Sequence, residues 1–454
     1  MKKYLKTFHF TIWDTTAVLI SLTTLLFASY VSNYADSNSL TVWSLNIWDS
    51  IFIKKDIFMF YSYTAENIYG LEHPLMGCDI LVCLPWAIWN LPLWFIKHFG
   101  NLSVLDHPLM LFYSKSFMLL MLIGCQREII KIGKLFSDNK KNLHLCSTLL
   151  LTSFFTLNSV GYFGQNDVMI IYISILALRF LLCGKWKIFL LLSALSISFE
   201  PFFVFSYIAI ILFKEKRIHY ILLYICSGFS LFILQKILFW NAPMYQESIE
   251  RGPSGEIIWL LTQNQFPLTP YTVALFILVL FSLYLFIYLD HNDSLYKEKI
   301  LYYNLACYAC YFLFVRSEGY RPLYLFVFIY LIMTLKPQYF RINLILESIA
   351  TFSMMLQLFF TDAFFFNTYW MFLPHRNEDS PRILFDAIEG LPTPPNNLFP
   401  TCYFICIVAI LIINHPKFNV MNKTITMERE RYWILLRSII IVLPFILTIL
   451  IQYI

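Results

Sequence analysis

The stretch VALFILVLFSLYLFIYL, residues Val273 to Leu289, contains no charged side chain. Its length is close to the roughly 20 apolar residues that an α-helix needs to cross a bilayer. Similar apolar runs recur at Ala17 to Val31, Ile218 to Leu234 and Trp433 to Leu450. Of the 454 residues, 59% are hydrophobic and 13% are charged, whereas about 25% are charged in a typical soluble protein. The sequence therefore predicts an all-α polytopic membrane protein.

The apolar runs predict about thirteen membrane-spanning helices when the N-terminus is placed in the cytoplasm. Met1 to Lys6 is basic and precedes a long apolar run without a small-residue cleavage site, which indicates an uncleaved first span. The outward spans are predicted near residues 13–33, 145–161, 187–199, 219–240, 298–315, 342–360 and 433–452. The inward spans are predicted near residues 107–125, 167–183, 201–213, 271–289, 322–336 and 400–414.

The distribution of basic residues tests this orientation, because Lys and Arg prefer the cytoplasmic side of short membrane loops. The loops predicted to be cytoplasmic hold about three times as many basic residues as the outer loops. The outer basic residues are Lys54, Lys55, Arg251, Arg316, Arg321, Arg376 and Arg382. This bias predicts a multi-pass protein of the plasma membrane with a cytoplasmic N-terminus.

Two other classes of protein are disfavoured by the composition. The net charge of +5 arises from short basic clusters between apolar runs, which is typical of membrane flanks and argues against nucleic-acid binding. The ten cysteines lie mostly inside apolar stretches, and none has metal-ligand spacing with a histidine. We therefore expect no nucleic-acid partner and no Cys–His metal centre.

Two apolar segments depart from the simple pattern of spans. Ile80 to Ile96 is interrupted by Pro85 and Pro92, and counting it as a span would invert every later loop. Its tryptophans suit the headgroup region, so we predict a helix that lies along the outer interface. The segments 187–199 and 201–213 are short and meet at Glu200-Pro201, which predicts a broken hairpin that lines a cavity or is covered by protein.

The first outer loop, predicted over residues 34–106, is long and aromatic, which predicts short amphipathic helices on the membrane surface. Asp36 follows the first span directly, and Asp49 and Asp56 come later. A carboxylate here is a candidate general base, or an orienting acceptor, for a hydroxyl that attacks an activated carbon. The alternative is a solvated aspartate that ends a helix. Asp49 or Asp56 could also hold the catalytic role in place of Asp36.

The second outer loop, NSVGYFGQNDVM, places Gln165, Asn166 and Asp167 in a tight polar turn between two apolar runs. Such a turn at a membrane face is a candidate site. The alternative is a plain interhelical turn in which Asn166 or Asp167 caps the helix that starts at Val168.

The outer turn VRSEGYRPLY places Arg316, Glu318, Tyr320 and Arg321 against the positive-inside bias. Planar guanidinium groups suit phosphate oxygens, so this turn is a candidate site for a lipid phosphate. The alternative is a local ion pair with Glu318. Glu200 is ionisable within an apolar hairpin and is a candidate for the same cavity, unless it lies at the outer water boundary, where the cost of its charge mostly vanishes.

This layout resembles the GT-C superfamily of glycosyltransferases, which are multi-span enzymes that use polyprenyl-phosphate or polyprenyl-diphosphate sugars. The resemblance covers residues 1–215 best. It implies that Asp36 and Asp167 are catalytic carboxylates, and His73 belongs to an HPL sequence similar to one that precedes the family's interfacial helix. RSEGYR resembles a turn of lipid-linked glucosyl- and mannosyltransferases, so Arg316 and Arg321 would bind the donor phosphate. Glu200 stands where a similar hairpin usually carries a lysine.

The resemblance implies a single polytopic domain over residues 1–454, with a core that continues through 107–240 and variable C-terminal spans over 241–454. The expected function is sugar transfer to a glycan or lipid acceptor at the extracytoplasmic face, in assembly of a cell-surface polysaccharide. The expected partners are the lipid-linked sugar and membrane lipid. No cofactor is required, although a divalent cation could lie between Asp36, Asp167 and the phosphate. The competing hypotheses are a transporter or lipid-linked flippase, and a noncatalytic scaffold.

Overall fold

The computed structural model describes residues 12–33, 35–67, 78–100, 104–105, 107–137, 140–250, 272–290, 295–315, 319–361, 369–370, 398–416 and 428–453. Within these ranges the chain is almost entirely α-helical. One two-residue antiparallel pairing joins β1 (Ser32–Asn33) to β2 (Tyr369–Trp370). The prediction of an all-α protein is confirmed at this level, and several of its helices are apolar enough for a membrane.

The N-terminal part contains the predicted first span and the segment predicted to be the first outer loop. Its elements are α1 (Ile12–Val31), α2 (Ala35–Phe52), a 3₁₀ turn (Ile57–Met59), α3 (Phe60–Glu66), α4 (Ile80–Gly100) and α5 (Pro108–Gly133). Helices are therefore present in the first loop, as predicted. Helix α4 continues through Pro85 and Pro92 and packs along α2, where Trp48 Nε1 donates to the Ala87 carbonyl at 2.7 Å and Asn90 Nδ2 to Ser44 Oγ at 2.8 Å.

The middle of the chain contains shorter helices joined by tight turns. Its elements are α6 (Lys140–Leu151), α7 (Phe154–Thr156) with the π helix Leu157–Tyr162, α8 (Asp167–Leu182), α9 (Trp186–Phe199), α10 (Phe203–Lys214), α11 (Ile218–Phe239) and α12 (Tyr245–Glu250). The predicted hairpin is correct, because α9 ends one residue before Glu200 and α10 begins at Phe203. Pro201 lacks the amide donor that would continue the first helix.

The C-terminal part builds the centre of the bundle. Its elements are α13 (Thr272–Leu289), α14 (Tyr296–Phe314), α15 (Leu323–Leu335), a 3₁₀ turn (Pro337–Tyr339), α16 (Phe340–Thr361), α17 (Leu398–Ile413) and α18 (Glu428–Tyr453). Every residue of α15 is buried, which is expected of a helix that is apolar on all sides. Helix α11 instead exposes Leu222, Ile233 and Ile237, so its apolar face suits lipid contact.

A helix, or a bent helical pair, occupies each of the thirteen predicted positions. Four helices among the described residues are long and apolar enough to cross a membrane, namely α1, α4, α5 and α11. The count reaches six if two bent pairs are each one span: Asn142–Leu151 with Phe154–Tyr162, bent by 51°, and Leu323–Leu335 with Pro337–Leu358, bent by 105°. The figure of thirteen spans stays a prediction. Because α4 also meets the criteria for a span, its position along the interface is a prediction too.

Candidate functional site

Three turns that the sequence assigns to different outer loops meet at one end of the helical bundle. The guanidinium of Arg321 lies over the Phe202 ring, with its central carbon 5.4 Å from the ring centroid. Phe163, in the turn before α8, contacts Tyr320 with 4.9 Å between ring centroids. The second outer loop, the Glu200 hairpin and the arginine turn therefore share one surface.

Four predicted site residues form an electrostatic cluster on this surface, which we call the Arg321 cluster: Asp167, Glu200, Tyr320 and Arg321. Asp167 is 1% exposed and Arg321 is 9% exposed. Burial alone lowers the pKa of the Arg321 guanidinium, but Tyr320, Glu200 and Asp167 outweigh it and raise the pKa well above its ordinary value. Arg321 is therefore a permanently charged group in a buried site beside two carboxylates.

Aromatic rings shield one side of Arg321 from water. The Phe202 ring below the guanidinium contacts Tyr311 at 5.1 Å and Tyr324 at 5.4 Å between centroids. Low-polarity surroundings strengthen the interaction of a charge with a neighbouring anion. The aromatic packing therefore strengthens the interaction of Arg321 with the anions beside it, including Asp167 and Glu200.

The turn before Asp167 has an irregular backbone geometry that the sequence did not reveal. The π helix Leu157–Tyr162 precedes it, and the Gln165 amide donates to the Ser159 carbonyl at 2.9 Å. Gly164 has a φ of +58°, a left-handed conformation that glycine adopts without steric cost. Asn166 precedes α8 but makes no side-chain capping hydrogen bond. Asn166 therefore does not cap this helix through its side chain, whereas the alternative of a plain turn capped by Asp167 stays open.

Lys115 of α5 was missed by the sequence analysis and lies behind the same turn. Its side chain is 1% exposed, and its Nζ donates to the Ser32 carbonyl and, at 3.0 Å, to Ser32 Oγ. A Cβ atom added at Gly164 would lie 3.1 Å from Lys115 Cγ, so the lysine stem supports the turn. A lysine within an apolar helix is a signal that could have identified it.

Asp36 is the second residue of α2, and its side chain lies outside the described part of the structure. The backbone just before it is anchored, because Ser32 Oγ donates to the Gly161 carbonyl at 3.2 Å. On the other side, Ser37 Cβ would lie 3.4 Å from a Cβ added at Gly164. The start of α2 therefore lies against the turn that leads to Asp167.

Several predicted site residues cannot be placed in this arrangement. His73, Arg316 and Glu318 lie outside the described residues, so their roles stay predictions. Gln165 is buried and Asn166 is half-buried in the turn before α8. Among the described residues, no group of three or more His, Cys, Asp or Glu side chains could hold a metal. A cation between Asp36 and Asp167 is not tested, because the carboxylate of Asp36 is not described.

Asp49, an alternative catalytic residue in the sequence, is held by partners on α4. Its carboxylate is fully buried and accepts hydrogen bonds from Trp94 Nε1 at 2.6 Å and Lys97 Nζ at 2.9 Å. His98 Nε2 lies 2.7 Å from the same carboxylate. Asp56 is exposed and accepts a hydrogen bond from the Phe58 amide at 2.9 Å, as a local helix cap. Both geometries favour structural roles.

Asp49→Asn is expected to lower the free energy of unfolding by about 1–3 kcal/mol, because half-buried Lys97 loses its charged acceptor. Burial raises the pKa of Asp49, but contacts with Lys97, Trp94 and His98 outweigh it, and the pKa falls below its ordinary value of 3.8. The carboxylate therefore stabilises the native state at neutral pH, and this contribution is lost as the pH falls through its native pKa.

Thermal unfolding in detergent, from neutral pH to below pH 3.8, measures the lower stability of Asp49→Asn and the acid dependence of wild-type stability. The wild type should lose stability more steeply with acid than Asp49→Asn does. Asp56→Asn is the matched control, since asparagine retains the capping oxygen and the side chain is exposed. Equal acid dependence in wild type and Asp49→Asn would contradict the proposed role of the carboxylate.

A second polar cluster lies in the interior, away from the outer turns. Arg437 of α18 makes a two-pronged ion pair with Glu347 of α16, with Nε–Oε2 and Nη2–Oε1 distances of 2.8 and 2.5 Å. The guanidinium also donates to Tyr330 Oη at 2.8 Å and to the Thr152 carbonyl at 2.9 Å. Thr152 lies at the 51° bend between α6 and α7, so this cluster joins the bend to three other helices.

No protein-family model matches the chain, and no curated protein matches it either. The resemblance to the GT-C superfamily therefore rests on the arrangement of residues such as Asp36, Asp167 and Arg321 along the sequence.

Proposed function

We propose that the chain is a GT-C-type glycosyltransferase that moves a sugar from a polyprenyl-phosphate or polyprenyl-diphosphate donor to a glycan or lipid acceptor. The observation that supports this most is the buried Arg321 guanidinium beside the carboxylates of Asp167 and Glu200, at the end of the bundle where α2 begins with Asp36. The proposal includes thirteen spans, a plasma-membrane location and a cytoplasmic N-terminus, which together place this end outside the cell.

The proposed reaction is a substitution at the anomeric carbon of the donor sugar. The acceptor oxygen forms a bond to that carbon while the bond to the phosphate oxygen breaks. Asp36 takes the hydroxyl proton, and Asp167 orients the reacting groups. Arg321 stabilises the negative charge that develops on the leaving phosphate. The other proposed substrate-binding residues are His73, Gln165, Asn166, Glu200, Arg316, Glu318 and Tyr320.

A guanidinium that already has acidic neighbours can still bind a phosphate if other cations balance the charge. Arg316 lies five residues before Arg321 in the sequence and would supply a second cation. The buried Lys115 side chain lies behind the same turn, where its Nζ is bound to Ser32. The scheme requires no cofactor, and a divalent cation could bridge Asp36, Asp167 and the phosphate, since such ions prefer carboxylate and phosphate oxygens.

Purified full-length protein in lipid nanodiscs, incubated with a panel of polyprenyl-phosphate and polyprenyl-diphosphate sugars, tests this function directly. The readout is release of the sugar-free lipid phosphate together with labelled sugar on an acceptor. Transfer from at least one donor is expected. If no donor in the panel is consumed with any lipid or glycan acceptor, the proposed function is wrong.

Arg321→Met is expected to lower kcat/KM for the accepted donor by about 10²- to 10³-fold, because one donor to the leaving phosphate is lost. Arg321→Lys keeps the charge but loses the planar fork, so its kcat/KM should lie between those of wild type and Arg321→Met. Arg217→Met is the control, since Arg217 is exposed and pairs with Glu215 at 3.0 Å in a loop of the opposite predicted side. A kcat/KM of Arg321→Met within twofold of wild type would contradict the role of this residue.

Transport of a lipid-linked sugar is the second candidate function, because the Glu347–Arg437 pair is an ionisable pair in the interior of the bundle. Ionisable groups inside a membrane bundle are frequent in transport pathways. Here Arg437 and Glu347 bind each other and Tyr330, which favours a structural role. Proteoliposomes loaded with a fluorescent lipid-linked sugar separate the two functions: protein-dependent flipping without sugar transfer would support the transporter.

A further inference from the structure

Two cysteines at the start of α4 lie close enough to react with each other. Cys78 lies two residues before the helix and is half-buried, whereas Cys83 lies in its first turn and is fully buried. Their sulfur atoms are 3.9 Å apart. A disulfide requires about 2 Å between the sulfurs, so the two sulfurs have to approach each other by roughly 2 Å more.

The backbone between the two cysteines is held by three other elements. The Asp79 carboxylate accepts a hydrogen bond from Tyr245 Oη at 3.0 Å and lies 3.3 Å from Lys236 Nζ. The Ile80 amide donates to Tyr61 Oη at 3.1 Å. These contacts keep the sulfurs facing each other, so little additional order is needed to join them.

The surroundings argue against a catalytic thiol. Contact with Cys83, burial, and the carboxylates of Asp79 and Glu200 raise the pKa of the Cys78 thiol well above its ordinary value. A reactive cysteine needs the opposite, since the thiolate is the nucleophile. Helix α4 also packs against α9, the helix that ends just before Glu200 of the Arg321 cluster.

We propose that Cys78 and Cys83 form an intramolecular disulfide in the mature protein, which clamps the start of α4 beside the Arg321 cluster. The two thiols lose two protons and two electrons, and the disulfide of an extracytoplasmic thiol–disulfide oxidase accepts them and becomes a dithiol. The proposal depends on the orientation given above, because disulfides persist on the outer side of the membrane, but it does not depend on sugar transfer.

Mass spectrometry of the full-length protein tests the disulfide. Protein purified without reductant is denatured and alkylated with a light reagent, then reduced and alkylated with a heavy one. Cys78 and Cys83 should carry the heavy label, and Cys307 and Cys310, buried in α14, should carry the light label as the internal control. Before reduction, the intact mass should be lower than that of the full dithiol by two hydrogen atoms.

Light label on both Cys78 and Cys83 would overturn the proposal. A second measurement concerns stability: reductant should lower the thermal midpoint of the wild type and leave that of Cys78→Ser unchanged. An equal effect of reductant on both proteins would also contradict the clamp. Neither readout depends on sugar transfer. An active transferase without the disulfide would contradict only the disulfide, and an inactive protein with the disulfide would contradict only the proposed function.

Discussion

Replacing Asp36 by asparagine is expected to lower sugar transfer by about 10²- to 10⁴-fold, which is the usual contribution of a general base. Asparagine has nearly the same shape but cannot accept the proton of the attacking hydroxyl. The start of α2 is fixed against the second outer loop by contacts of Ser32 with Gly161 and Lys115. The loss should therefore appear mainly in kcat, with donor binding and the thermal midpoint close to those of wild type.

Asp56→Asn is the matched control for this prediction, because Asp56 belongs to the same loop and caps a helical turn at the surface. It should transfer sugar at the wild-type rate. Single-turnover rates with the accepted donor, measured for both variants, isolate the chemical step. If Asp36→Asn transfers sugar as fast as Asp56→Asn, Asp36 is not the base. Asp167 and Glu200 would then be the remaining described carboxylates of the site that could act.

The helices could be predicted from the sequence because their signals are local. The apolar runs, the interruption at Glu200-Pro201 and the polar turn before Asp167 each depend on neighbouring residues. Proline has no amide hydrogen with which to continue a helix. The break between α9 and α10 could therefore be predicted without any knowledge of the tertiary structure. The proximity of the outer turns also followed, because alternating spans bring alternate loops to the same side.

Contacts between distant segments could not be predicted in this way. Asp49 looked like a free loop carboxylate, but Lys97 and His98 are 48 and 49 residues further along the chain. Lys115 is hidden in an apolar helix, and its acceptor Ser32 is 83 residues earlier. Such contacts decide which aspartate is already held by a basic partner. The sequence does not show them, so Asp36, Asp49 and Asp56 all stayed candidates for the catalytic carboxylate.

Arg437 and Glu347 in the interior are also distant in the sequence, so their pairing could not be predicted. Breaking this pair is expected to lower the free energy of unfolding more than any other change proposed for this protein. Helix α6 breaks at Thr152 and Ser153, and the chain bends by 51°. Arg437 Nη1 donates to the Thr152 carbonyl at 2.9 Å and so satisfies a group that a break can leave without its helical partner. The ion pair thus stabilises the bend as well as the contact between α16 and α18.

Arg437→Met is expected to lower the free energy of unfolding by about 3–5 kcal/mol, because it leaves the Glu347 carboxylate buried without its countercharge. Replacing both partners, as Arg437→Met with Glu347→Leu, should recover much of that loss, since the uncompensated charge is then removed. Thermal and denaturant unfolding in the same detergent measures the three proteins. Arg217→Met serves as the control with no measurable change, since its pair with Glu215 is exposed.

The comparison of Arg437→Met with the double variant separates two explanations of how the Arg437–Glu347 pair stabilises the protein. If charge compensation dominates, the double variant is more stable than Arg437→Met, and transfer activity returns with the fold. If the hydrogen bond from Arg437 to the Thr152 carbonyl dominates, both variants lose the bond and are equally unstable. We expect the first result, because an unpaired buried carboxylate costs several kcal/mol, whereas one hydrogen bond from a charged donor contributes about 1.5–3 kcal/mol.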